Sequence, residues 1–214
     1  NKLPFNTFIF VGMRVEQYLK NNFKPYKIIN WQGQEFHYFE IKELPDTRVL
    51  MTSGLSDFKM KVHEKHLGEE YAELYILLPG YWDETSIQES ENEWVFKCLS
   101  KTKRHIKESN TWFGHGHTFS FRDMELSVFK ASNETQFIVS NPIQLKPFLP
   151  PLKSEDCTIL FLSIIPVFTK EMHFKESRGT FNLMERFSQY GVTEKIDAYR
   201  ESVVKSRFNR LFKR

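Results

Sequence analysis

Two segments organise this sequence: TSGLSDFKMKV (residues 52–62) and, after a charged link, EEYAELYILLPGYWD (residues 69–83). The second segment contains a nearly continuous apolar run at residues 72–78, which a Pro-Gly pair ends. A short apolar run bounded by turn-forming residues is typical of a β-strand that is covered on both faces. Residues 48–51 predict another strand just before the first segment. The predicted order is therefore strand, structured turn, ribbon and buried strand.

The turn after residues 48–51 contains Gly54, Leu55, Ser56 and Asp57. Short polar side chains beside a glycine form hydrogen bonds with their own backbone and so fix tight turns. We expect the Asp57 carboxylate to accept such bonds. The four residues are therefore interpreted as a structural motif and not as a nucleophile with its base.

Apolar periodicity predicts the other elements of the chain. The predicted helices are residues 12–22, 90–108, 169–176, a segment from Thr180 to Gly191 with Phe181, Met184 and Phe187 inward, and 196–212. The predicted strands are residues 26–31 and 36–41 as a hairpin, 48–51, 72–78, 113–121, 126–129, 136–139 and 158–168. This mixture predicts an α+β fold, a mixed and largely antiparallel β-sheet with helices packed on it.

The predicted helix at residues 90–108 has two distinct faces. Its buried stripe is formed by Trp94, Cys98, Leu99, Thr102 and Ile106, and its basic outer face by Lys97, Lys101, Lys103, Arg104 and Lys107. A basic face of this kind is either a solvated surface or a binding surface, and the sequence leaves both interpretations open.

Composition indicates a globular protein, because 40% of the residues are hydrophobic and 27% are charged. The 21 phenylalanines predict an aromatic-rich core. A net charge of +3 and a pI near 8.7 are too mild to indicate a nucleic-acid partner. We interpret residues 1–214 as a single domain with its core at about 25–203 and a basic C-terminal helix or tail at 204–214.

The sequence also bears on the location of the protein. No apolar run reaches the length needed to span a bilayer. Residues 5–11 are apolar, but they are too short and lack the basic start of a signal peptide, while the missing initiator Met leaves a trimmed start open. Two cysteines, Cys98 and Cys157, are too few for a disulfide framework and are expected to be separate reduced thiols. We therefore expect a cytoplasmic protein with no membrane partner.

Several ordered blocks of the chain resemble the suppressor-of-fused domain family. They are the G-L-S-D turn at residues 54–57, the A-E-L-Y block at 72–75, the N-T-W-x-G-x-G-H segment at 110–117, and F-L-x-I with the following P-V-F-T-x-E-M at 161–172, together with a looser match of the helix around 94–105. The resemblance covers roughly residues 25–203. It implies a suppressor-of-fused-like α+β domain.

The resemblance also implies a binding function. Animal members of the family are two-domain regulators that clamp a transcription-factor peptide, whereas small bacterial members consist of this one domain and commonly act as immunity proteins. The chain matches the shared domain alone, so the resemblance implies a bacterial immunity protein, or antitoxin, whose partner is a cognate toxin domain. The alternative is a general peptide-binding or protein-binding scaffold with a regulatory role, which uses an open sheet edge or a cleft.

The residues expected to bind lie in two aromatic loops, which we place together at one end of the sheet, and in one acidic cluster that would add to this surface if the fold brings it to the same end. They are Tyr81, Trp82, Asp83, Trp112, Phe113, His115 and His117, with Glu69, Glu70 and Glu73 as the acidic cluster. Aromatic side chains in loops either cover the core or anchor a partner. The glutamates would steer a basic partner toward the aromatic loops.

His115 and His117 also suggest a different class of function, a metal-dependent hydrolase. Two residues apart on a strand, they would face the same side and offer two nitrogens to a metal. A third ligand is missing, since neither Asp123 nor His173 has a fixed position relative to them. We therefore expect a structural histidine at a glycine-rich turn, no metal, no cofactor and no enzymatic activity.

Overall fold

A computed structural model describes residues 6–121 and 135–204 of the chain, without side-chain detail for residues 6–13 and 135. The helices are α1 (Asn6–Asn22), α2 (Trp94–Ser109), α3 (Thr169–Arg178) and α4 (Thr180–Gln189). The strands are β1 (Tyr26–Trp31), β2 (Gln34–Glu40), β3 (Thr47–Thr52), β4 (Tyr71–Pro79), β5 (Thr118–Phe119), β6 (Thr135–Ser140), β7 (Leu152–Lys153) and β8 (Thr158–Phe168).

These strands form a mixed sheet in the order β1-β2-β3-β4-β8-β6-β5, with β7 paired to the first half of β8. Only the β4–β8 pair is parallel among the described strands, and the other pairs are antiparallel. The hairpin β1–β2 turns at Gln32 and Gly33, which both have positive φ as a tight two-residue hairpin turn requires. The predicted α+β class with a mixed, largely antiparallel sheet is confirmed.

The strand β4 lies at the centre of the sheet and is buried on both faces, as its apolar sequence predicts. Leu74, Ile76 and Leu78 pack into a cluster that also contains the buried side of α2. Tyr75 and Leu77 point to the other face, into the cluster that contains α1. Because both faces are covered, the strand can carry apolar residues at successive positions.

Beyond Tyr75 the strands β4 and β8 separate, and the C-terminal segment takes the place beside β4. The pairing of β4 with β8 ends at Tyr75 and Ser163. The backbone N–H of Ile196 then donates to the carbonyl of Leu77 at 2.9 Å. The buried carboxylate of Glu194 accepts a hydrogen bond from the Tyr75 hydroxyl at 3.2 Å. This segment therefore belongs to the core although it is irregular.

Three sequence-based expectations differ from the structure. Residues 196–204 are irregular and not helical, because their contacts with β4 and α3 replace helical hydrogen bonds; residues 205–212 lie outside the described part of the chain. Phe181 is 79% exposed because α4 buries Leu183 and Phe187, whose face of the helix excludes position 181. Of the predicted strand at 113–121, only Thr118–Phe119 is a regular strand.

The predicted strand at 126–129 lies outside the described residues. None of the helices within residues 6–121 and 135–204 has the length and apolar character that crossing a membrane requires.

Candidate functional site

The two predicted aromatic loops lie at opposite ends of α2 and not at one end of the sheet. The ring of Trp82 meets that of Trp94, the first residue of α2, with a centroid distance of 6.4 Å. Trp112 follows Ser109, the last residue of the helix. The 16 residues of α2 span about 24 Å. The expectation of one continuous aromatic surface is therefore corrected to two separate regions.

The first region follows β4 and contains Tyr81, Trp82 and Asp83. Tyr81 is 67% exposed, whereas Trp82 is half-buried against the core cluster around α2. Asp83 accepts hydrogen bonds from the backbone N–H groups of Thr85 at 3.0 Å and Ser86 at 2.8 Å. These bonds lower the pKa of the Asp83 carboxyl group. Tyr81 is thus the accessible aromatic residue, while Trp82 covers the core and Asp83 holds a turn.

The second region is the loop at residues 110–117, in which aromatic rings and histidines pack on one another. The ring of Trp112 lies between His66, with a centroid distance of 3.8 Å, and His117, at 4.6 Å. Phe113 stacks on His117 at 5.6 Å. Glu69 pairs with His66 at 3.2 Å, so one of the three predicted glutamates does lie beside this loop.

Both candidate metal-binding histidines hold the loop in place through Nδ1. They lie in a turn and not on a strand, so they do not share a strand face. His117 Nδ1 lies 3.0 Å from the backbone N of Gly114, and His115 Nδ1 accepts from the backbone N–H of Asn141 at 3.1 Å. Within the described residues, no group of three or more His, Cys, Asp or Glu side chains is arranged to hold a metal ion.

Glu73 is completely buried, which removes it from the predicted acidic surface. One carboxylate oxygen accepts from Ser56, and the other accepts from Thr52 and Leu55. Burial raises the pKa of this carboxyl group, and the hydrogen bonds oppose that rise. Glu70, by contrast, accepts from the backbone N–H of Gly68 at 2.9 Å at the entrance of β4.

Two lysines of the basic face of α2 form hydrogen bonds with the turn after β3. Lys103 Nζ donates to the carbonyl of Ser53 at 2.5 Å, and Lys107 Nζ donates to that of Gly54 at 3.0 Å. Burial lowers the pKa of Lys103, and Lys107 lowers it further, while the charge of Glu73 acts in the opposite direction. The basic face is therefore divided between a structural part and a part that faces a cleft.

The cleft between α2 and the segment around β5 is the candidate functional site, and we call it the α2 cleft. It has a volume of about 330 Å³. It is lined by Lys101, Thr102, Arg104, His105, Glu108, Phe113, Phe119, Ser120 and Phe121. Lys101 Nζ lies 5.7 Å from the centre of the Phe121 ring. Aromatic walls beside cationic side chains suit an acidic or aromatic group of a partner.

Of the residues predicted to bind, Phe113 alone lines the α2 cleft. Lys101 and Arg104 belong to the basic face, for which the sequence left a solvated and a binding surface open. The signals were present as the basic helix face and as the aromatic residues of the predicted strand at 113–121. Their proximity depends on how the chain returns along α2 after residue 110, which no local pattern specifies.

The family model of the suppressor of fused protein matches residues 22–201 of the 214, close to the range over which the motifs resemble the family. No curated protein sequence matches the chain.

Solved structures of the same family have a similar fold. A suppressor-of-fused homologue of Neisseria gonorrhoeae FA 1090 has 17% sequence identity and a TM-score of 0.57, and the match covers 92% of this chain and 99% of that chain. The Sufu–Fu complex has 14% identity and a TM-score of 0.57, with 94% of this chain and 91% of that chain covered. Drosophila Suppressor of Fused has 15% identity and a TM-score of 0.51, with 87% of this chain and 43% of that chain covered.

These structural matches show a shared fold, and the family model adds a sequence match over most of the chain. The resemblance of the G-L-S-D, A-E-L-Y and N-T-W-x-G-x-G-H blocks is thereby confirmed. The chain belongs to the suppressor-of-fused family.

Proposed function

We propose that this chain is a non-enzymatic protein-binding domain that acts in the cytoplasm as a bacterial immunity protein, binding a cognate toxin domain and blocking its active site. The observation that carries the proposal is the α2 cleft. Its cations belong to a helix whose opposite side is fully packed, since Trp94, Cys98, Leu99 and Ile106 are buried. Little backbone order must be gained when a partner binds to side chains on a helix that is already packed.

The chemistry of the cleft favours binding over catalysis. Lys101 and Arg104 supply positive charge that exceeds the negative charge of Glu108, and Phe113, Phe119 and Phe121 supply apolar area. Such a combination recognises a carboxylate next to an aromatic or aliphatic residue on the surface of a partner. The described residues that line the cleft do not include a nucleophile bonded to a base, which a hydrolase would use.

The relatives support a protein partner. The Sufu–Fu complex is a complex between a member of this family and another protein. The match to the Neisseria homologue covers 99% of that bacterial chain, and the match to Drosophila Suppressor of Fused covers 43% of that chain. The similarity to a bacterial protein that consists of one suppressor-of-fused-like domain favours the immunity role over regulation of the two-domain animal type.

A protection assay tests this function. The chain is coexpressed in a bacterial host with the toxin domain encoded beside its gene, and growth is measured. We expect growth with the natural chain and with Lys170→Glu, an exposed change on α3 outside the cleft. We expect cell death with Lys101→Glu combined with Arg104→Glu.

Two results would count against the immunity role. Cell death with the natural folded chain would overturn it, as would the absence of a toxin gene next to this one. Either result would favour the alternative of a general peptide-binding scaffold. Protection that survives the double charge reversal would place the toxin contact outside the α2 cleft.

A further inference from the structure

A second cavity lies between α4 and the loop that follows β6, and we call it the α4 cavity. It has a volume of about 480 Å³, and none of its lining residues lines the α2 cleft. Its apolar part is formed by Met184, Phe187 and Val192, with the partly exposed Ile143 beside them. A volume of this size is within the usual range of small-ligand sites, about 300–1,000 Å³.

The polar part of the α4 cavity contains Lys146 and His115. His115 Nδ1 accepts a hydrogen bond from the backbone N–H of Asn141, so the neutral ring carries its proton on Nε2. Desolvation lowers the pKa of His115, against a smaller opposing effect of Glu69, which favours this neutral form. The second ring nitrogen is therefore a hydrogen-bond donor. Among the described residues that line the cavity, Lys146 carries a charge and no Asp or Glu balances it.

A buried carboxylate holds one wall of the α4 cavity, the loop that follows β6. Glu194 is completely buried and accepts the backbone N–H groups of Ile143, Gln144 and Leu145 at 3.0, 2.8 and 2.9 Å. These bonds fix the loop that carries Ile143 and Lys146. On the opposite side of the cavity, Phe187 of α4 is buried against the sheet. The cavity is thus a formed feature and not a gap between mobile side chains.

From this arrangement we propose that the α4 cavity binds an amphipathic carboxylate, with its apolar group against Met184 and Val192 and its carboxylate on Lys146 and His115. The apolar wall and the uncompensated donors together define this ligand class. Such a carboxylate is found in small aryl or alkyl acids and in the C-terminal residue of a peptide. The proposal goes beyond the immunity function, because it concerns a separate site.

Nuclear magnetic resonance tests the ligand class with phenylbutyrate as the probe. The methyl resonance of Met184, assigned with Met184→Leu, is followed during titration. We expect a saturable shift with phenylbutyrate and none with phenylbutylamine, which has the same apolar group and the opposite charge. Lys146→Glu should weaken phenylbutyrate binding about tenfold or more, the usual effect of losing a charge-assisted hydrogen bond.

A steric variant and a peptide pair complete the experiment. Ser188→Trp places a large ring in the cavity and should abolish the shift, whereas Asn182→Trp, exposed on the same helix but outside the cavity, should leave it unchanged.

A short peptide that ends in Phe is compared with its C-terminal amide. Binding of the acid but not the amide assigns the peptide as a source, and binding of phenylbutyrate alone assigns a small acid. No shift with phenylbutyrate, or an equal shift with the amine, would overturn the proposal.

Discussion

Ser56 donates two hydrogen bonds to one carboxylate oxygen of Glu73, from its backbone N–H at 3.0 Å and from its hydroxyl at 2.7 Å. The other oxygen accepts from the Thr52 hydroxyl and from the Leu55 backbone N–H. A glutamate inside the central strand therefore holds the turn that the family motif marks. Its buried charge is satisfied locally by four donors, as a buried carboxylate requires.

Glu73→Gln is expected to lower the free energy of unfolding by about 1–3 kcal/mol, the cost of leaving buried donors unpaired. Whichever way the new amide is turned, its NH₂ group faces a backbone N–H, either that of Ser56 or that of Leu55. Denaturant unfolding measures the change. Glu91→Gln, at an exposed position, is the control and should change stability little. Equal stability of the two variants would show that the turn does not depend on the carboxylate.

Arg200→Ala is expected to destabilise the chain by roughly 3–5 kcal/mol, because it leaves a buried carboxylate without its partner. Arg200 donates to both oxygens of the fully buried Glu171 at 2.8 Å. The same carboxylate accepts the backbone N–H of Val203 at 2.9 Å and so holds the C-terminal segment. Thermal unfolding measures the loss, with the exposed change Arg178→Ala as control.

A double change separates the pairing from simple loss of side-chain volume. If Arg200 acts by neutralising Glu171, the loss for Arg200→Ala with Glu171→Ala will be smaller than the sum of the two single losses. Additive losses would contradict the pairing as the source of the effect.

The stability of the chain is expected to fall as the pH is lowered from about 6.5 to about 4 because of His37. Burial lowers the pKa of His37 to about 4, and the ring Nδ1 lies 2.9 Å from the Tyr26 hydroxyl. A histidine with a lowered pKa in the folded state stabilises the fold above its unfolded pKa and loses that contribution as it becomes protonated. The loss can reach about 3 kcal/mol.

The contribution of His37 is measured as a difference between variants. Unfolding free energies are determined across this pH range for the natural chain and for His37→Gln, which cannot titrate at this position. The natural chain should lose more stability on acidification than His37→Gln. The exposed change His63→Gln should keep the natural slope. An identical slope for His37→Gln would contradict the burial of a neutral ring.

Tyr81→Ala and Trp82→Ala are expected to have different effects on stability, although the two residues are adjacent. Trp82 packs on Trp94 and on the core, so its removal should cost about 1–3 kcal/mol. Tyr81 is 67% exposed, and its removal should change stability by less than about 0.5 kcal/mol. Thermal unfolding of both variants measures this. Equal losses would contradict the assignment of Trp82 as a cover of the core.

Much of the fold follows from local patterns in the sequence. The buried strands β4 and β8 appear as apolar runs, and every member of the predicted stripe of α2, from Trp94 to Ile106, is buried. These features are predictable because the spacing of apolar residues reflects the geometry of one element. The hairpin β1–β2 was predictable from its turn, in which Gly33 occupies a position with positive φ.

The site was less predictable because its residues meet through contacts distant in sequence. Glu73 looks like part of an acidic surface cluster with Glu69 and Glu70, and only the turn packed over it shows that it is buried. Glu194 bonds to residues about fifty positions earlier in the chain, which no local pattern indicates. The separation of Trp82 from Trp112 depends on the direction of α2 along β4, which apolar spacing does not encode.

We propose above that this chain binds a toxin domain through the α2 cleft. The most direct test of this proposal is calorimetric titration of the purified chain with the purified toxin domain encoded beside its gene. We expect a one-to-one complex with a Kd at or below about 1 μM, weakened at least about tenfold by Arg104→Glu and unaffected by Lys170→Glu. Absence of binding by the folded natural chain would contradict the proposal.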